Sequence, residues 1–240
     1  MERNIINEPA RNRATIDKQF HRQLDIIHPD KLAFPITIVG AGASGSYTAM
    51  SLAKMGCTDI NIYDDDIVEH HNQPNQLYGA EYIGQPKAVS LGIEVNRVTG
   101  ILPGQINQKY IDQQLRYEQP NCLVISCVDN MDARSAIWEQ ATAQGSRSKP
   151  ITVIDPRQGG EFIVIYIAKS HGDIVGAKAY EDTLHPAGES MQLPCTARAV
   201  IYNSMLTGGL VAALVKKHAL GEALPRKIMM DCSTFGVIVE

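Results

Sequence analysis

Gly40-Ala41-Gly42-Ala43-Ser44-Gly45 reads G-x-G-x-x-G, set between a β-branched run, Ile36 to Val39, and a helical stretch that begins at Ala43. Each glycine has its own task in such a motif. The first makes a tight turn, the second lets a phosphate approach the backbone, and the third lets the helix pack on the strand. The N–H groups that open the helix have no intrahelical acceptor and attract anions. Asp64 follows nineteen residues after Gly45, at the end of a second strand read over 59–63. A carboxylate there can accept from a pair of ribose hydroxyls. Strand, glycines, helix and acid agree on a nucleotide, against the bland alternative of a turn that binds nothing. Nicotinamide, flavin and ATP all remain open at this point.

The residues that follow narrow the chemistry. A dehydrogenase needs one ribose acid here, but this chain has Asp64-x-Asp66, then Asn72 and Gln76, then Gly84-Gln85-Pro86-Lys87. Lys87 falls in the first turn of the next helix, where a cation opposes the macrodipole at a cost of a few tenths of a kcal/mol to about 1 kcal/mol. A triphosphate nearby would offset that cost. A solvated lysine that points away is the other reading. Asp129, in Cys127-Val128-Asp129-Asn130, follows a strand and on its own reads as a helix cap. Asp155-Pro156-Arg157-Gln158-Gly159-Gly160-Glu161 reads as a turn that redirects the chain, and His70 and His71 read as solvated loop residues.

These side chains need a scaffold that gathers strand ends. Strands read at 36–39, 59–63, 122–126 and 151–154 alternate with helices at 43–55, 84–97 and 131–143. That alternation argues for a parallel sheet covered on both faces. A weak strand at 105–108 and a short helix at 111–115 lie between them. The pattern then changes to a strand at 162–168, an irregular stretch at 171–194, a helix at 198–218 and strands at 228–230 and 236–239. Leu206 to Leu214, with Thr207, Gly208 and Gly209, reads as a close-packed helix, a subunit contact being one use for it. The expected fold is α/β and Rossmann-like: a mostly parallel sheet with helices on both faces, extended by C-terminal antiparallel strands. The expected organisation is an N-terminal helical arm at 1–32 and a single domain at 33–240. That domain comprises a nucleotide-binding half (33–155) and an antiparallel extension with a crossover loop (156–240).

Composition excludes other classes. The chain has 240 residues, 44% hydrophobic and 20% charged, enough to bury a core without staples. Its net charge of −4 gives no basic face for nucleic acid. No apolar run reaches the roughly 18 residues of a membrane span, and the first twenty residues lack the apolar core of a signal peptide. Five scattered cysteines, with no Cys-x-x-Cys, argue against a disulfide framework and a four-cysteine zinc site. A reducing, cytoplasmic compartment is expected.

The ordered set Gly40–Gly45, Asp64-x-Asp66, Asn72, Gln76, Gly84-Gln85-Pro86-Lys87 and Cys127-Val128-Asp129-Asn130 resembles the ThiF/MoeB/HesA family of ubiquitin-activating-enzyme-like adenylyltransferases over about Phe20 to Arg134. The resemblance implies that the C-terminal carboxylate of a ubiquitin-like or sulfur-carrier protein attacks the α-phosphate of ATP, with an acyl-adenylate formed and pyrophosphate released. It further implies that Gly40, Gly42 and Gly45 form the phosphate turn and that Asp64 holds the ribose. Asp66 counts among the nucleotide contacts; Asn72, Gln76 and Lys87 meet the phosphates, and Asp129 holds Mg²⁺. Phe20-His21-Arg22-Gln23-Leu24 resembles the segment whose arginine reaches the γ-phosphate in the partner subunit, which makes Arg22 a candidate finger across a homodimer. Arg11 and Arg13 are weaker alternatives. Cys195 lies where thioester-forming members carry their nucleophile, and a cysteine near a helix N-terminus can have a lowered pKa; a small buried hydrophobe is the other reading. Cys122, Cys127 and Cys232 read as core. The chain departs from the pattern at Asn72-Gln73-Pro74-Asn75-Gln76, where the family has Asn-x-x-Arg-Gln. Asparagine lacks arginine's bidentate positive fork, and Arg134 and Arg157 are candidates to replace it. A non-catalytic nucleotide-binding partner subunit is therefore the alternative, followed by an NAD- or FAD-dependent oxidoreductase.

Overall fold

Strand β1 (Ile36–Val39) is buried at all four positions and pairs in parallel with β2 (Ile60–Tyr63) on one side. In this computed structural model, which describes residues 18–106, 122–184 and 200–240, β3 (Gly104–Ile106) adds to β2 in parallel. On the other side of β1 lie β4 (Leu123–Ser126) and then β5 (Thr152–Gly159), again parallel. β6 (Phe162–Lys169), β7 (Lys227–Asp231) and β8 (Gly236–Val239) continue the sheet antiparallel. The order is β3-β2-β1-β4-β5-β6-β7-β8. The expected parallel sheet with an antiparallel extension is what the chain forms.

Because strand side chains alternate between faces, the apolar runs feed two cores. Ile36, Ile38, Ile60, Ile62 and Ile125 pack with Leu52 of α1 (Ala43–Met55), Leu91 of α2 (Lys87–Thr99) and Val211, Leu214 and Val215 further along the chain. Val39, Val124 and Val153 pack on the opposite face with Ile137 and Trp138 of α3 (Met131–Gln144) and Tyr180 of α4 (Ile174–Glu181). Helix α1 ends where the sequence placed its stop. Gly56 adopts φ 106 and donates its N–H to the Leu52 and Ala53 carbonyls, a left-handed cap that glycine takes without a Cβ penalty. Helix α5 (Ile201–Ala219), which supplies residues 211–215, lies against α1. A Cβ on Gly208 would sit 2.8 Å from the Tyr47 backbone, so Gly208 serves packing within the chain, while Gly209 faces open space.

Two expectations need correction. Asp155 to Gly159 is not a turn: β5 runs through it, pairing Asp155 with Tyr166 and Arg157 with Val164 of β6. Pairing to β4 stops at Ile154, so Pro156 has a strand neighbour on one side only, where a missing N–H is tolerated. The stretch after His171 contains a helix, α4, because Asp173 accepts from the Gly176 N–H at 2.9 Å and caps it. Residues 18–32 pack on the domain through buried Phe20, Ile27 and Leu32, and the Gln23 side-chain amide donates to the Met55 carbonyl at 2.8 Å. Arg11, Arg13, the short helix at 111–115, Cys195 and Arg198 lie outside the described residues.

Candidate nucleotide site

β1 is flanked by β2 and β4, and its outgoing helix turns to one side while the chain returns on the other. The carboxyl ends of β1 and β4 thus border the crevice at the topological switch point, where ligands bind in open α/β sheets. Gly40 closes β1 with φ 93, and its missing Cβ is required twice over, since that atom would lie 2.6 Å from the Cys127 carbonyl oxygen. Gly45 is pressed against the turn itself: a Cβ there would overlap the Gly40 carbonyl oxygen. Gly42 is different. A Cβ on it would meet nothing nearer than the Gln76 side-chain nitrogen at 3.9 Å. Gly42 is also the N-cap of α1 and offers no side-chain acceptor to the helix. The turn is therefore tight at its first and third glycines and open at its second, with a bare helix N-terminus beneath the opening. That is the geometry an anion needs.

The second strand delivers the acids. Asp64 Oδ2 accepts from the Ala41 N–H at 2.6 Å, and its Oδ1 accepts from the Asp66 N–H at 2.8 Å. Burial raises the Asp64 pKa above its ordinary 3.8, although these two N–H groups and the charge of Lys87 pull the other way. Lys87 is turned inward: it is 8% exposed, and its ammonium lies 2.8 Å from Asp66 Oδ2. The Lys87 N–H donates to the Asp66 carbonyl at 2.9 Å as well. The cost of a cation in the first turn is thus offset by Asp66 within the chain, so the position of Lys87 does not by itself require a phosphate. Tyr78, which nothing in the sequence singles out, donates its hydroxyl to the Ala41 carbonyl at 2.6 Å. Ser46 accepts from the Leu77 N–H at 3.2 Å, so the loop carrying Gln76 is fastened to α1.

The remaining candidates separate. Asn72 is buried and holds its own loop, accepting from the Glu69 N–H at 2.8 Å in a reciprocal cap. The Gln76 side-chain oxygen is buried without a hydrogen-bond partner among the described residues, beside the Gly42 opening. Asp129 is exposed beyond β4, and the helix cap is its neighbour: Asn130 accepts from the Ala133 N–H at 2.8 Å. The cap reading of Asp129 is corrected accordingly. No group of three His, Cys, Asp or Glu side chains suited to a metal occurs among the described residues. A single exposed carboxylate on the loop after β4 has the donor chemistry that suits Mg²⁺, which keeps several waters and takes few protein carboxylates. Arg22 lines a concavity of about 480 Å³ with Lys54 and Thr99, near the C-terminal ends of α1 and α2. Helix α1 is 13 residues long, roughly 20 Å at 1.5 Å per residue, so Arg22 is far from its own chain's turn.

Arg134 and Arg157 do not replace the arginine missing at Asn75. Both are committed to Asp155, which is fully buried: Arg134 Nε donates to Oδ1 at 3.0 Å and Arg157 Nε to Oδ2 at 2.9 Å. An acid that continues a buried apolar strand, Ile151 to Ile154, was the available sign of this, since a buried carboxylate must have partners. Cys122 and Cys232 are buried as expected. Cys127 is half-buried between the turn and Asp155, and burial drives its thiol pKa upward; burial pushes Cys57 up to about 12.

A doubly covered sheet with a glycine turn at its switch point and an acid closing its second strand is a Rossmann-like α/β protein. This chain belongs to the ThiF family, whose model matches residues 29–151. Ubiquitin-like modifier-activating enzyme 5 of Branchiostoma floridae is 29% identical over 126 residues, 47% of this chain and 31% of that protein. The Xenopus laevis protein of the same name is 24% identical over 229 residues, covering 82% and 56%. Adenylyltransferase and sulfurtransferase uba4 of Neosartorya fischeri is 26% identical over 183 residues, covering 75% and 35%. The chain therefore spans between 31% and 56% of these relatives. Among solved structures, PaaA matches with a TM-score of 0.72 at 17% identity, over 100% of this chain and 77% of that one. Escherichia coli MccB, in its structure with ATP, matches at 0.68 and 15% identity over 92% and 70%; both share the fold. No helix among the described residues is long and apolar enough to cross a membrane.

Proposed function

We propose that this chain is an ATP-dependent adenylyltransferase that activates the C-terminal carboxylate of a ubiquitin-like or sulfur-carrier protein as an acyl-adenylate. The observation that carries the reading is the uncapped N-terminus of α1 under the open face of Gly42, with Asp64 and the inward Lys87 fastened around it. In this reading Gly40, Gly42 and Gly45 shape the phosphate turn, and Asp64 accepts from the ribose. Gln76 and Lys87 face the phosphates, with Asp66 keeping the ammonium in place and Asn72 keeping the loop. Charge builds on the α-phosphate and on departing pyrophosphate, and fixed donors and cations stabilise it. Asp129 would hold Mg²⁺, whose chemistry is to neutralise phosphate charge. Arg22, distant from its own turn, would act across a homodimer, and Cys195 would take the acyl group if a thioester forms. The four free cysteines of the described residues accord with a reducing, cytoplasmic setting.

The test is exchange of labelled pyrophosphate into ATP in the presence of candidate carriers with a free C-terminus. Carrier-dependent exchange is the expected result. A second reading, a non-catalytic nucleotide-binding partner subunit, is favoured by Asn75 together with the commitment of Arg134 and Arg157 to Asp155. ATP binding without exchange by any carrier would decide for it.

A further inference from the structure

A buried cluster of charge joins β5, α3 and α4 beside the switch point. Asp155 is 0% exposed at its side chain, Arg134 8% and Arg157 16%. One carboxylate oxygen takes Arg134 Nε, and the other takes Arg157 and the Tyr180 hydroxyl at 3.0 Å. Such a cluster is a poor source of stability, because removing charges from water costs as much as their attraction returns. Its distinguishing feature is where the spare guanidinium donors go. Arg134 donates to the carbonyl of Val128, the residue before Asp129. Arg157 donates to the Thr183 carbonyl at 3.2 Å and hydroxyl at 2.9 Å, two residues past the end of α4. Arg157 also lies 4.4 Å over the Tyr166 ring, which fixes its plane.

We propose that Asp155 is a positioning residue: by holding both arginines it sets the loop that carries Asp129 and the chain that leaves α4 from a single carboxylate. This rests on the reading of Asp129 as the Mg²⁺ carboxylate of a nucleotide site. Outer partners that orient a metal-binding carboxylate usually carry on the order of 10- to 100-fold in metal affinity. ATP affinity is measured with Mg²⁺ and in EDTA by calorimetry, with the fluorescence of Trp138, which donates to Glu181 across α3 and α4 at 3.0 Å, as a second signal. In Asp155→Asn the gain in ATP affinity that Mg²⁺ confers should shrink by about 10-fold or more, with affinity in EDTA unchanged. In an Asp129→Asn background Asp155→Asn should cost nothing further, since Asp155 acts through Asp129. An unchanged Mg²⁺ gain, equal losses with and without Mg²⁺, or additive losses would overturn the proposal. Where Asp155→Asn melts below the assay temperature, amide hydrogen exchange on the wild-type chain carries the test. Mg-ATP should slow exchange at 127–134 and at 180–184 together, and slowing at 127–134 alone overturns it. A wild-type chain that binds no ATP, or an Asp129→Asn variant that keeps its full Mg²⁺ gain, instead brings down the nucleotide-site reading on which this one stands.

Discussion

Lys87 shows how a single side chain can be correctly singled out for an incomplete reason. Its position at a helix start is unfavourable, and the sequence suggested an absent anion; the anion at hand is Asp66, 2.8 Å away. In the proposed site the ammonium is shared between Asp66 and a phosphate. Lys87→Gln should therefore lower carrier-dependent pyrophosphate exchange on the order of 10²–10³-fold. It should leave the melting temperature little changed, because the stranded Asp66 carboxylate is 68% exposed and solvated. Undiminished exchange in that variant would remove Lys87 from the site. Asp64 gives a pH test. Burial raises its pKa above 3.8 in the folded chain, so its contribution to stability is fully present below 3.8 and declines as pH rises through the raised value. Nucleotide affinity runs the opposite way, because the ionised carboxylate accepts from ribose. Affinity should fall on acidification with a midpoint above 3.8, and Asp64→Asn should lack that midpoint once the nucleotide's own titration is subtracted. Coincident wild-type and variant profiles would end the ribose assignment.

At the scale of elements, the glycine turn separates folding from binding within six residues. Gly45 has no room for a Cβ, and Gly40 has neither the room nor a negative φ. Gly42 has the room, and the space it opens on is the proposed phosphate site. Gly42→Ala should melt close to the wild type while losing ATP affinity about tenfold or more, since a methyl group displaces a close backbone–phosphate approach. Gly45→Ala should be destabilised by about 1–3 kcal/mol or more through overpacking. Equal ATP affinity in Gly42→Ala and wild type, by calorimetry, would place the phosphates elsewhere. The strands at 36–39, 60–63 and 123–126 and the helices between them were legible because buried parallel strands leave unbroken β-branched runs and helix ends leave glycines. β5 beyond Ile154 was not, because Asp155-Pro156-Arg157 carries turn residues whose strand conformation comes from β6 alone.

For the whole molecule, binding to the folded state alone raises its stability by mass action. At one hundred times Kd, Mg-ATP adds about 2.7 kcal/mol, roughly 5–10 °C in melting temperature for a chain of this size. NAD(H) at equal concentration should add none. The reverse ranking would favour an oxidoreductase and leave Gln76, Lys87 and Asp129 without a role.

The sequence alone determined the order of the main strands and helices up to Ile154, the glycine turn and the acid at the end of β2, because each is written in local periodicity or in a conformation that favours glycine. It also carries the ordered motifs of the ThiF family. The tertiary structure decided which charges are spent within the chain. Lys87 pairs with Asp66, twenty-one positions away, and Arg134 and Arg157 converge on Asp155. Whether a cation is free or neutralised depends on distances that strand order and helix packing set, and no spacing along the chain encodes them.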